Sequence, residues 1–137
     1  MATSSSSAGA AAPPAAVTAP ITPASAPHRL ESNDGSFLVL YRTRPDPIPT
    51  NEPFSIDVWV YDAKRGQALL SQIDVTADAG MPEHAHGMNV EPRVWKQNDG
   101  SSLITGMLFH MPGRWELYFD ISRGEVTERA QAEVWLD

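Results

Sequence analysis

The chain has 137 residues, with 17 acidic against 10 basic side chains, a net charge of −7 and no cysteine. That length holds a single domain, and the missing thiols exclude disulfides, thiolate metal sites and cysteine nucleophiles. An acidic balance without a basic stripe argues against nucleic-acid binding, and no stretch approaches the roughly 20 apolar residues that span a bilayer.

The first 27 residues carry no charge, and 20 of them are alanine, proline or serine. Such a composition cannot bury enough apolar surface to fold. Residues 1–28 are therefore expected to form a disordered linker, and residues 29–137 a single domain. Met1 to Ser7 carries no Lys or Arg and no apolar run follows, so no working signal peptide is present. Ala/Pro/Ser tracts commonly follow an export signal or a lipid anchor. Two readings follow, a cytosolic protein with a floppy N-terminus and, the one favoured, an exported protein whose signal has been removed, the linker serving as a membrane tether or an inert tail.

After the linker come short alternating segments separated by turn residues. Phe37 to Tyr41 follows Asn33-Asp34-Gly35 and reads as a first strand. Pro45-Asp46-Pro47-Ile48-Pro49 breaks the ladder and reads as an edge crossing. Phe54, Ile56, Val58 and Val60 alternate with Ser55, Asp57, Trp59 and Tyr61, the period of two of a half-buried strand. Asp62 to Gly66 turns the chain, and Leu70 to Ala77 is a third strand with Ile73, Val75 and Ala77 on one face. Arg93 to Gln97 and Ser102 to Phe109 flank Asn98-Asp99-Gly100, a strong hairpin signal.

Trp115, Leu117, Phe119 and Ile121 then alternate with polar residues, and Val126 to Leu136 turns Ala130, Ala132, Val134 and Leu136 one way. No helical period appears. About seven short strands predict an all-β fold, an immunoglobulin-like antiparallel β-sandwich. Trp115 shares the parity of the core residues, whereas Trp59 and Trp135 fall on outward faces.

The four methionines after the initiator, and three of the four histidines, lie between positions 81 and 111. They form two groups, Met81-Pro82-Glu83-His84-Ala85-His86-Gly87-Met88 and Met107-Leu108-Phe109-His110-Met111-Pro112-Gly113, each bordered by turn residues. If the first group is extended, His84, His86 and Met88 project to one side, and His110 and Met111 come from a neighbouring turn. Imidazole binds copper, zinc, nickel and iron, whereas a thioether selects Cu(I). A His/Met set without thiolate therefore points to copper, with Cu(I) favoured and Cu(II) tolerated. The candidate ligands are His84, His86, Met88, His110 and Met111. Asp78, Glu83 and Glu91 would attract the cation and orient an imidazole. Met107, in step with Phe109, reads as core; Met81 reads either way, and His28 falls in the linker.

The run Asp78 to Met88, followed by Gly106-Met107-Leu108-Phe109-His110-Met111-Pro112-Gly113-Arg114-Trp115-Glu116-Leu117, resembles the YtkA-like domain family, small exported β-sandwiches related to the extracytoplasmic part of FixH-like proteins. Asn51-Glu52-Pro53-Phe54 resembles that family's early strand border, so the likeness runs from about Phe37 to Leu136. It implies an extracytoplasmic location and a part in copper handling or cytochrome oxidase assembly. The His/Met pairing is similar in kind to that of periplasmic copper chaperones of the PCuAC type, with different spacing.

The leading expectation is thus an exported copper chaperone or buffer, not an enzyme, whose partners are a copper donor or acceptor and oxidase assembly factors. One alternative is a metal-free interaction module of a membrane complex, which requires His84, His86 and His110 to point apart and each to bond backbone. Another is a cupin-like metalloenzyme using His84, His86 and Glu91, which requires an enclosed barrel. No Gly-x-Ser-x-Gly elbow and no phosphate-cradling glycine loop occurs.

Overall fold

The computed structural model describes residues 26–65 and 68–137; the segment read as a linker lies, up to residue 25, outside the described residues. Among the described residues nine strands form: β1 (His28–Glu31), β2 (Phe37–Arg44), β3 (Phe54–Asp62), β4 (Asp74–Met81), β5 (His86–Gly87), β6 (Arg93–Lys96), β7 (Ser102–Met107), β8 (Gly113–Arg123) and β9 (Val126–Leu136). All pairings are antiparallel. They build one sheet in the order β1-β2-β3-β7-β6 and a second in the order β5-β4-β8-β9. Leaving β1 and β5 aside, β2-β3-β7-β6 against β4-β8-β9 is the strand order of an immunoglobulin sandwich.

Alternation decides which faces meet. Phe37, Val39 and Tyr41 of β2, and Phe54, Ile56, Val58 and Val60 of β3, point inward against Val75, Ala79 and Met81 of β4 and Trp115, Leu117, Phe119 and Ile121 of β8. The phenyl ring of Phe119 meets Tyr41 across the gap, at 5.2 Å between centroids. Burial raises the Tyr41 pKa to about 12, with the nearby Asp46 carboxylate adding to the rise.

The element bounds differ from the sequence expectation in four places. There are nine strands rather than about seven, because β1 and β5 carry no alternation to read: β1 has one apolar residue and β5 is two residues long. The third expected strand starts at Asp74 instead of Leu70 and continues to Met81; ahead of it Leu69 makes only an isolated bridge to Tyr61. The Ser102 segment ends at Met107, two residues short of Phe109. The proline-rich stretch is a hairpin connection within one sheet rather than an edge crossing, since β2 and β3 pair in continuous register on either side of it.

Polar ties join the sheets at the end where β2 starts and β3 and β8 finish, two of them through buried carboxylates. Ser32 Oγ donates to Glu128 Oε1, and the Ser36 amide donates to the same oxygen at 3.2 Å. Asp62 accepts from the Lys64 and Arg65 amides, each at 2.9 Å, and from the Arg123 guanidinium at 2.9 Å. The hydrogen bond from Arg123 is the main reason the Asp62 carboxyl titrates below its ordinary range, with the Lys64 amide next. A lowered carboxyl pKa adds stability that is complete above the unfolded value of about 3.9 and is lost as pH falls through the folded value. Urea unfolding should therefore show Asp62→Asn less stable than wild type at pH 7, with the gap narrowing at pH 3 and below. A gap independent of pH would mean that Asp62 acts by shape alone.

Candidate metal centre

The His/Met groups lie at the opposite end, where β4 and β7 finish and β8 begins. Met81 closes β4 with its side chain in the core, and Pro82 to Ala85 turn the chain back. The His84 amide donates to the Met81 carbonyl at 3.1 Å and the Ala85 amide to that of Pro82 at 3.4 Å. Ala85 takes φ of 54°, a left-handed conformation that costs a non-glycine residue. The reversal lets His86 pair with Met81 and begin β5. The first group is thus a hairpin turn rather than an extended run, because the β4–β5 register requires four residues to turn. His84 and His86 nevertheless face each other, their rings 6.1 Å apart and 21° from parallel, both exposed. Met88, anchored by its amide to the Ala79 carbonyl at 3.3 Å, lies half-buried against the core.

The second group is set by Trp115. Its indole is fully buried, stacks on Phe109 at 4.4 Å and 3°, and donates from Nε1 to the Met111 carbonyl at 3.0 Å. The His110 ring stands edge-on to that indole at 5.5 Å and 83°. His110 is half-buried, and its Nδ1 is buried without a hydrogen-bond partner. The His86 and His110 rings are 6.2 Å apart at 73°. Met111 packs half-buried on the core. Gly113 closes the loop with φ of 128°, and a Cβ there would lie 2.8 Å from the Met81 methyl. A side chain at position 113 would thus be strained and would also push against Met81, which ties the two groups together through the core.

Met107 is core, as its step with Phe109 implies, and Met81 is core as well. His28 stacks on Tyr41 at 4.8 Å from β1. Of the acidic residues expected to orient an imidazole, Asp78 bonds its neighbour's amide, Ala79, at 2.8 Å, and Glu83 pairs with Arg114 at 3.5 Å. Arg114 also reaches Glu116 at 3.4 Å and Glu133 at 3.2 Å, binding the hairpin turn to β8 and β9. The sequence reading passed over both Arg114 and the role of Trp115; the Pro-Gly-Arg-Trp run after the second group was the available signal. Trp135 is 66% exposed opposite Arg114 on β9, and Trp95, on the edge strand β6, is 49% exposed.

Among the described residues no three His, Asp or Glu side chains are disposed to hold one ion. Pairs fare better. With metal–nitrogen bonds of about 2.0–2.1 Å, two imidazoles on one ion have centroids roughly 5–6 Å apart, and the two neighbouring pairs stand at 6.1 and 6.2 Å. Met88 and Met111, both half-buried, border the core near these turns.

Replacing Trp115 by phenylalanine should keep most of the stack on Phe109 while leaving the Met111 carbonyl without its donor. The expected cost is about 1–3 kcal/mol, read by urea unfolding, together with a changed His110 ring resonance. An unmoved His110 signal would show that the loop is held by other contacts.

Neither a protein-family model nor a curated protein matches the sequence. Solved structures do resemble the fold. A DUF4426 family protein from Pseudomonas aeruginosa superposes with a TM-score of 0.50 at 12% identity, covering 79% of this chain and 96% of that one. A copper-bound variant of FetP from uropathogenic Escherichia coli superposes with a TM-score of 0.50 at 8% identity, covering 80% and 95%. At such identities the likeness is one of fold: the chain is an all-β, two-sheet antiparallel sandwich of the kind these proteins share.

Proposed function

We propose that the domain binds copper through His84, His86 and His110, with Met88 or Met111 completing a Cu(I) site, and serves as an extracytoplasmic copper chaperone or buffer without catalysis. The observation that carries this reading is His110 Nδ1. A buried polar nitrogen without a partner costs about 1–3 kcal/mol, and native structures rarely leave one so without a role. Here it belongs to a ring 6.2 Å from a second imidazole, in a loop bordered by half-buried methionine. A copper ion is a partner that this donor set suits.

Three further points support the reading. A neighbour of the same fold is a copper-bound FetP. The ligands sit on turns carried by a packed sandwich, so they can shift as an ion is handed on without disturbing the core. The likeness of both His/Met groups to YtkA-like domains agrees with an exported protein delivering copper to an acceptor such as an oxidase assembly factor, tethered through its N-terminal segment. The metal-free alternative requires each histidine to bond backbone, which His110 Nδ1 does not do. The cupin-like alternative requires a closed barrel, and this fold is two open sheets.

The test is titration of the purified protein under reducing conditions against a Cu(I) chelator of known affinity. Wild type should take up one equivalent with zinc failing to compete. The double variant His84→Ala/His86→Ala should lose tight binding with an unchanged circular dichroism spectrum, since both side chains are exposed. Unchanged affinity in the double variant would overturn the assignment.

A further inference from the structure

The three histidines do not converge. No triad of potential ligands is disposed around one point among the described residues, yet His86 has two neighbouring imidazoles, His84 at 6.1 Å and His110 at 6.2 Å. We infer that the centre, on the copper-binding reading above, consists of two overlapping positions that share His86: an outer one with His84 and an inner one with His110.

The two positions differ in chemistry. His84 lies on the hairpin turn and His86 opens β5; both are exposed, and their rings lie nearly parallel at 21°. An ion there meets water and nitrogen donors, a setting open to Cu(II) as well as Cu(I). The inner position pairs His86 with a ring turned 73° to it, whose Nδ1 is already removed from water and whose flank is the buried Trp115 indole. Met111, next in the chain, and Met88 both pack against the core. Thioether donors and exclusion of water favour Cu(I).

Sharing His86 has a kinetic consequence. An ion can exchange His84 for His110 while keeping its bond to His86, so it passes between solvent and the core border without release. The turn carrying His84 is pinned at its neighbour Glu83 by Arg114, and the loop carrying His110 by Trp115. The two outer rings thus sit on separate anchors with His86 between them. The outer position faces a donor or acceptor protein, and the inner one holds the cargo between encounters.

The experiment compares wild type with His84→Ala, His86→Ala and His110→Asn, the last chosen because asparagine fills most of the imidazole volume in a half-buried site. Cu(II) is added in substoichiometric steps and followed by electron paramagnetic resonance, and Cu(I) affinity is measured by chelator competition. Near-ultraviolet circular dichroism without metal checks that each variant retains its packing; should the asparagine variant fail, His110→Gln takes its place. Wild type should show two Cu(II) signals. His84→Ala should lose one while keeping Cu(I) affinity, and the His110 variant should lose the other and most of the Cu(I) affinity. His86→Ala should lose both. Equal and complete loss in all three single variants would mean one three-histidine site and would overturn the shared-ligand arrangement while leaving copper binding intact. Absence of binding to wild type would overturn the copper reading itself.

Discussion

Trp115 is buried as a whole, yet its indole nitrogen must donate a hydrogen bond, and the acceptor available to it is the Met111 carbonyl at 3.0 Å. That requirement decides the path of the loop between β7 and β8. With the Met111 carbonyl held at the nitrogen edge of the indole and Phe109 stacked on its face at 4.4 Å, the residue between them in the chain is fixed on both sides. His110 is left edge-on to the same ring, with one nitrogen turned away from water. The histidine most distinctive of the centre is thus placed by an apolar core residue rather than by a hydrogen bond of its own.

The two ends of the sandwich are held differently. Where β2 starts and β8 finishes, buried or half-buried polar groups join the sheets, with Glu128 accepting from Ser32 and Ser36 and Asp62 from Arg123. At the His/Met end close approach joins neighbouring strands of one sheet, the Met81 methyl of β4 lying where a Gly113 side chain of β8 would be. One ion pair reaches the hairpin turn, from Arg114 to the exposed Glu83 at 3.5 Å. Exposed pairs of this kind contribute about 0–1 kcal/mol each, so they bias the position of the turn without locking it. A turn held by one partly exposed pair beside a loop held by Trp115 is compatible with the proposed exchange of an ion.

Methionine serves two purposes within 31 residues of chain. Met81 and Met107 fill the core, where an unbranched thioether adapts to the space between Trp115, Phe109 and the end of β4. Met88 and Met111 border the same core with part of their surface reachable from outside. The division follows strand parity: Met81 and Met107 end strands on inward positions, and the other two lie one or more residues beyond a strand end.

Much of the fold was legible because alternation is a local property. Phe54 to Val60 and Trp115 to Ile121 carry the period of two without interruption, and the Asn98-Asp99-Gly100 turn marks its hairpin, so the all-β sandwich and its inward faces follow from the chain alone. The clustering of histidine and methionine between positions 81 and 111, and the preference of that donor set for copper, were likewise determined by the sequence. Strands as short as β1 and β5 were not, since they exist only through pairing with residues elsewhere. Nor was the relation among the histidines. Local spacing placed His84 and His86 on one extended strand, whereas the β4–β5 register leaves His84 in a turn and His86 at the start of β5. Only the burial of Trp115 brings His110, 24 residues beyond His86, to within 6.2 Å of that ring. Distances between loops depend on how two sheets pack and which buried donor must find an acceptor, and no pattern along the chain encodes them.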